Sequence, residues 1–196
     1  LVAQGAFSIY KTDCVREIGG WPDAIGEDIV LTWNLLKHNW KTYFEPLAVA
    51  FTNVPNTFRV FARQRSRWAR GMIEALKTTK PWQQPQIYTK YLTGINLLMP
   101  YLDISYTFFW LPGLILAFFG LFWIVGPATL MVLPLTFISY TVLYTYQKYV
   151  FRKLNLKVRK NPSGFIMFIL CYQMIMSPIA VLGYLQETFR LKRVWK

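Results

Sequence analysis

The sequence predicts a mixed α/β layer followed by an α-helical membrane domain with about three transmembrane helices. In residues 1–80, short β-type runs alternate with helical periodicity. From about Tyr91 the chain turns almost wholly apolar, in runs that approach the roughly 20 residues a helix needs to cross hydrocarbon. Composition agrees with both: 54% hydrophobic and 18% aromatic residues is heavy loading for one soluble domain of 196 residues. The expected organisation is therefore 1–80 and 81–196.

Taken in order, "AFSIY" (Ala6–Tyr10) has strand character, and Gly19-Gly20-Trp21-Pro22 reads as a turn. A helix follows across "EDIVLTWNLLKHN" (Glu27–Asn39). "KTYFEPLAVAFTN" (Lys41–Asn53) reads as one or two β segments around Pro46. Asn56 or Thr57 can cap a second helix running to about Lys77, because Phe58, Phe61, Arg65, Trp68, Met72 and Leu76 recur at three- and four-residue steps. The prolines of "TTKPWQQP" break that pattern. Apolar runs then predict spans over about 104–125, 128–146 and 164–185. "YLTGINLLMPYLD" (Tyr91–Asp103) can lie as an interfacial helix before the first span, and Pro178 can break the last into a re-entrant piece. Asp103 stands either at the interface or facing a polar channel.

The formal charge of +13 raises the question of nucleic acid. No zinc-ligand spacing or recognition module accompanies it, and the basic residues sit beside apolar runs, so nucleic acid is not the expected partner. The positive-inside bias accounts for the charge. "QKYVFRKLNLKVRK" carries Lys148, Arg152, Lys153, Lys157, Arg159 and Lys160 with no acid, which places it, and the first half two crossings earlier, on the cytoplasmic side. The basic tail "FRLKRVWK" falls on the opposite side by the same count, an inconsistency in a three-span reading. Cys14 and Cys171 are unsuited to pair, and His38 has no companion at metal-ligand spacing. The chain begins without Met or a leader, so the expectation is that it starts inside a domain.

Two constellations can carry chemistry. Glu27 and Asp28 fall at a helix start, where backbone amides and the dipole favour negative charge. They are either a charged cap or, for Asp28, a rigidly held general base. In "QRSRWARG" (Gln64–Gly71), Gln64, Arg67 and Trp68 lie three and four apart and reach one side of a helix. A guanidinium can bind a diphosphate by paired hydrogen bonds and an indole face can stack on a sugar ring. Alternatively, Trp68 anchors at a membrane interface while Arg63, Arg65, Arg67 and Arg70 meet lipid phosphate.

The ordered set "GAFSIYKTD…IGGWPDAIGEDIVLTWNLL", "YFEP" and "QRSRWARG", followed by membrane spans, resembles the C-terminal portion of a processive family-2 glycosyltransferase. That group includes bacterial poly-N-acetylglucosamine, cellulose and hyaluronan synthases, and the look is nearest to the poly-N-acetylglucosamine type. The resemblance implies that the α/β part is a partial GT-A domain in a multi-pass cell-membrane enzyme whose catalytic portion is cytoplasmic. It implies inverting transfer from a nucleotide sugar, a UDP-sugar by expectation, to a growing polysaccharide extruded through the membrane. Asp28 matches the catalytic base and Glu27 its neighbour; Gln64, Arg67 and Trp68 match the motif that binds donor diphosphate and acceptor sugar. Gln4, Gly5, Ala6 and Phe7 resemble the strand lining the acceptor pocket, with Gly5 and Phe7 as substrate contacts. Tyr106, Phe109, Trp110, Tyr140 and Tyr144 either line a polysaccharide path or face lipid. A divalent metal, Mg or Mn, is implied for the full-length enzyme, with its ligands outside this chain, so the chain alone is expected to be inactive. Membrane lipids and an accessory membrane subunit are further implied partners. Gly26 departs from the family's Thr or Ser and loses a hydroxyl cap. The alternatives are a non-processive transferase acting on a lipid, or a membrane scaffold or transporter piece with a lipid-docking helix.

Overall fold

A computed structural model describes residues 2–157 and 161–191. Arg159 and Lys160 of the basic loop, and the tail from Lys192, lie outside the described residues.

The predicted α/β layer does not form. Among the described residues there is no β-strand, and the regular structure is entirely helical. Ala6–Tyr10 is a turn followed by irregular chain, and Lys41–Asn53 is irregular around a turn in which the Ala48 N–H donates to the Glu45 carbonyl (3.2 Å). The physical reason is pairing. A strand exists only where a neighbour takes up its backbone groups, and β-propensity measures fit to a half-buried pleated surface. Here Phe44 and Phe51 are 76% and 79% exposed, with no sheet to cover them. A partial GT-A domain is accordingly not what these residues build.

The helices are α1 (Thr12–Glu17), α2 (Glu27–Lys37), α3 (Phe58–Thr78), α4 (Ile87–Gly94), α5 (Leu98–Ser105), α6 (Leu111–Phe118), α7 (Val132–Lys153) and α8 (Pro162–Thr188). Their ends follow local chemistry. The Thr57 hydroxyl accepts from the Val60 N–H (3.3 Å) and caps α3. Asn39, at φ 63°, closes α2 by letting the Trp40 N–H reach back to the Leu35 carbonyl. Short 3₁₀ and π turns link α4, α5 and α6 into one helical stretch, Ile87–Phe118. That stretch includes the segment expected to lie at the interface. It ends before residue 125 because Gly120 adopts φ +80° and the Leu121 N–H returns to the Leu116 carbonyl. Pro178 sits inside α8, which continues through it.

The chain forms two compact units. The first comprises Leu1–Phe44, Ala50–Asp103 and Pro178–Lys196 and is organised around α3. On one side Val30, Trp33 and Leu36 of α2 bury against Ala75, with Met72 and Leu76 alongside. On another, Ala69 packs with Ala180, Val181 and Tyr184 of α8. A third cluster joins Leu31 and Leu35 to Cys14 of α1. Small residues bring these helices into backbone contact. A Cβ on Gly71 would come within 2.7 Å of Gly26 Cα, and one on Gly183 within 2.5 Å of the Ser66 carbonyl.

The second unit comprises Glu45–Val49 and Ile104–Ser177. Within it Tyr140 of α7 meets Phe165 and Phe168 of α8 edge-on, with ring centroids 6.3 and 5.4 Å apart. A cavity of about 630 Å³ opens among Tyr106, Trp110, Phe122, Tyr140, Phe168 and Gln173. Across the chain, Ile87–Phe118, Pro127–Lys153 and Pro162–Thr188 are long and apolar enough to cross a membrane.

Helix propensity alone says that Gly71→Ala in mid-helix should stabilise by about 1 kcal/mol. The Gly26 contact reverses the sign: overpacking should dominate, with a net loss of about 1–3 kcal/mol. Gly94→Ala, whose Cβ would meet only Pro81 Cβ at 3.9 Å, should be neutral or stabilising. Thermal melting of the two variants in detergent tests the opposite signs.

Candidate functional site

The start of α2 is built by what precedes it. Gly26 caps the helix without a side-chain bond, and Glu27 and Asp28 occupy its first turn, both half-buried. The Asp28 carboxylate is held by two backbone donors: its Oδ1 accepts from the Ile29 N–H (2.9 Å) and its Oδ2 from the Gly5 N–H (3.4 Å). Thr32, one turn on, accepts the Ala3 N–H (3.0 Å) and donates to the Asp28 carbonyl (2.7 Å). The N-terminal segment is thereby pinned along α2, with Gly5 over the carboxylates. A Cβ on Gly5 would lie 3.4 Å from Glu27 Oε1 and 3.6 Å from Asp28 Cβ.

Gln4–Phe7 forms a turn, closed by the Phe7 N–H on the Gln4 carbonyl (3.2 Å), and not the strand that its sequence predicts. Gly5 therefore reaches the carboxylates, whereas Phe7 is 54% exposed. Tyr10 packs edge-on against Trp21, with ring centroids 5.2 Å apart. Burial pushes its phenol above the usual tyrosine value, the Ser8 hydrogen bond opposes this, and the negative charges of Asp28 and Glu27 reinforce it. Its hydroxyl thus stays protonated at the edge of an acidic patch.

The second group lies on α3. Gln64, Trp68, Gly71 and Ala75 recur at four-, three- and four-residue steps and share a stripe, and Arg67 is one turn before Gly71. Gly71 touches Gly26, the residue before Glu27. The Ile25 N–H donates to Glu74 Oε2 across the same junction (2.6 Å). The start of α2 and the motif face of α3 are therefore joined through backbone. At a 1.5 Å rise per residue, Arg67 and Trp68 stand about one turn from that contact. Among the described residues, no side-chain hydrogen bond links Gln64, Arg67 or Trp68 to the carboxylates. Gln64 is half-buried; Arg67 is exposed and Trp68 is 49% exposed.

Two arginines of the motif behave differently from expectation. Arg70, which the lipid-docking reading turns toward phosphate, is buried and ion-paired with Glu187 of α8 (3.3 Å). The signal was available: Ser66, Arg70, Ile73 and Lys77 form a second helical stripe, and Glu187 is the one acid in the last span. Arg65 lies over the Trp68 ring at 4.1 Å and near Phe61 at 5.1 Å, so one face of the indole is already taken by a cation. The i, i+3 spacing from Arg65 to Trp68 permits this contact without announcing it.

Cys14 and Cys171 are free, and His38 is exposed with Nδ1 2.9 Å from the Asn34 carbonyl. Asp103 accepts the Tyr184 hydroxyl at 2.7 Å. As to a divalent metal, no group of three or more His, Cys, Asp and Glu side chains converges among the described residues. Glu27 and Asp28 are a pair only, short of such a group.

Because Thr32 is fully buried and bonds the Ala3 amide, Thr32→Val should leave that donor unpaired and cost about 1–3 kcal/mol. Hydrogen exchange should accelerate at the Ala3 and Gly5 amides while α3 stays protected.

Residues 1–181 match the model of the glycosyl transferase family group 2. Over 108 residues the chain is 32% identical to a poly-beta-1,6-N-acetyl-D-glucosamine synthase of Staphylococcus aureus (strain COL), covering 52% of this chain and 26% of that relative. Over 73 residues it is 36% identical to the protein of the same name in Staphylococcus epidermidis, covering 37% and 18%. The match thus spans about a quarter of the Staphylococcus aureus protein's length. No solved structure matches the chain. The family match runs through the carboxylate turn, the α3 motif and most of the apolar stretches, and on that extent the chain belongs to glycosyl transferase family group 2.

Proposed function

We propose that this chain is part of a membrane-embedded, inverting, processive glycosyltransferase. It would lengthen a polysaccharide of the poly-N-acetylglucosamine kind from a nucleotide sugar and pass the polymer through the membrane. The observation that carries the reading is the Gly26–Gly71 contact, which joins the carboxylate-bearing start of α2 to the face of α3 that holds Gln64, Arg67 and Trp68. The names of the staphylococcal relatives supply the product class.

In this reading Asp28 is the general base. The Gly5 and Ile29 amides fix its carboxylate, which takes the proton of an acceptor hydroxyl. The hydroxyl oxygen attacks the anomeric carbon from the face opposite the leaving group, the bond to the nucleoside diphosphate breaks, and the configuration inverts. Arg67 offers the planar guanidinium for the departing diphosphate, and Gln64 a side-chain amide beside it. Trp68, covered by Arg65 on one face, offers the other to the acceptor ring.

The membrane assignment is supported by side chains that water would not favour. Along α7, Phe137, Ile138, Val142 and Leu143 are each more than half exposed, an apolar surface that hydrocarbon covers without cost. Lys148, Arg152, Lys153 and Lys157 at and beyond the α7 C-terminus favour the cytoplasmic side, where the nucleotide sugar would be. The aromatic cavity around Tyr106, Trp110 and Tyr140 is of the size and lining that holds a sugar segment.

The test uses the complete open reading frame in membranes with radiolabelled UDP-N-acetylglucosamine. Asp28→Asn should lower kcat by about 10²–10⁴-fold with little change in KM. Trp68→Ala should abolish polymer while Arg63→Ala leaves it. Equal losses from Trp68→Ala and Arg63→Ala would return α3 to a lipid-docking role and overturn the reading.

A further inference from the structure

On α3, Ser66, Arg70, Ile73 and Lys77 run as a stripe about 160° around the axis from Gln64, Trp68 and Gly71, on nearly the opposite face. All three polar members reach the end of α8. The Ser66 hydroxyl donates to Gln186 Oε1 (3.1 Å), and Arg70 donates from Nε and Nη2 to Glu187 Oε2 (3.3 Å each). Arg70 Nη2 also donates to the Leu191 carbonyl (2.9 Å), and Lys77 Nζ to the Glu187 carbonyl (3.1 Å). Two cations from α3 thus serve one carbonyl in the last turn of α8 and one three residues beyond it, near the helix end where the dipole favours positive charge.

We propose that this stripe, centred on the buried Arg70–Glu187 pair, is a positioning device that fixes the rotation and axial register of α3 against the last apolar helix. It thereby aims Gln64, Arg67 and Trp68; in this it rests on the reading of α3 as the substrate helix. The apolar part of the contact has one close backbone approach, at Gly183 and Ser66, but no directional bond. It is made of Ala69, Ala180, Val181 and Gly183 with Tyr184, and burial of such surface is non-directional. A one-residue slip would rotate the motif by about 100°, disturb the close approaches at Gly183 and Gly71, and leave Arg70 and Glu187 buried without partners. Both side chains are about nine-tenths buried, so water cannot substitute. Arg70 and Glu187 touch no reacting atom in this scheme. They act through the orientation of the helix.

The experiment replaces the pair by apolar residues of similar volume, Arg70→Met with Glu187→Leu, in the complete protein, and reads three quantities. The yield and melting temperature of folded protein should stay near wild type, since a buried pair exchanged as a unit need not destabilise. Per mole of folded protein, kcat with UDP-N-acetylglucosamine should fall about tenfold or more, as expected for a misplacement near 1 Å, with a smaller change in KM. Capture of Ser66→Cys with Gln186→Cys by a short bis-thiosulfonate reagent, efficient in the parent, should drop in the same variant. If the double substitution does not fold, Lys77→Met should show the same pair of losses in weaker form. Wild-type kcat and wild-type cross-linking in either folded variant overturn the proposal. Lost cross-linking with wild-type turnover overturns instead the substrate role of α3, which Trp68→Ala reports independently.

Discussion

Everything placed around the candidate site depends on how closely two backbones approach at Gly26 and Gly71. With the nearest approach of a built Cβ at 2.7–2.8 Å on either side, no side chain fits between the α2 cap and the middle of α3. Glycine inside a helix costs about 1 kcal/mol relative to alanine. That cost is offset where the approach lets Val30, Trp33 and Leu36 close on Ala75, and lets Glu74 take the Ile25 amide. The same approach fixes how far the Glu27–Asp28 turn stands from Arg67 and Trp68. A hydroxyl-bearing residue at position 26 would gain a cap of about 1 kcal/mol and lose this contact.

α3 also makes a second close contact, and the two differ in chemistry. Toward α2 it presents glycine, alanine and apolar side chains, with Glu74 on the Ile25 amide. Toward α8 it presents small residues interrupted by Ser66, Arg70 and Lys77. The end of α8 answers in kind: Tyr184, Gln186 and Glu187, three of four consecutive positions, bond to Asp103, Ser66 and Arg70. A helix that ends an apolar run with three paired polar side chains is specified in register by directional bonds, added to the close approach at Gly183. Helix α3 is thus held on both flanks.

What could be read from the sequence follows the same division between local and distant causes. The capping threonine of α3, the turn at Gly19 and Gly20 and the acidic start of α2 are decided within a few residues, and they stand in the structure close to where pattern places them. The strands at Ala6–Tyr10 and Lys41–Asn53 depend on partners far along a chain, and residues of high β-propensity without such partners stay irregular. Gly26 shows the same limit from the other side. As sequence it is a missing hydroxyl, and its meaning lies 45 positions away in Gly71. The carboxylate turn and the α3 motif were legible one at a time, while the contact that joins them was not.

Arg70 carries the point furthest. In a run of four arginines spaced over two turns, composition offers no ground for separating the one that is buried from those that are not. Helical phase does offer one: Arg70 falls in step with Ser66, Ile73 and Lys77, whereas Arg67 falls in step with Gln64 and Gly71. A charge can be buried at that phase only if an opposite charge is delivered to the same place, and Glu187 is delivered by a helix that begins as apolar. The basic helix is therefore two surfaces on one backbone. One is closed against α8 by matched charge, and the other leaves Arg67 and Trp68 exposed.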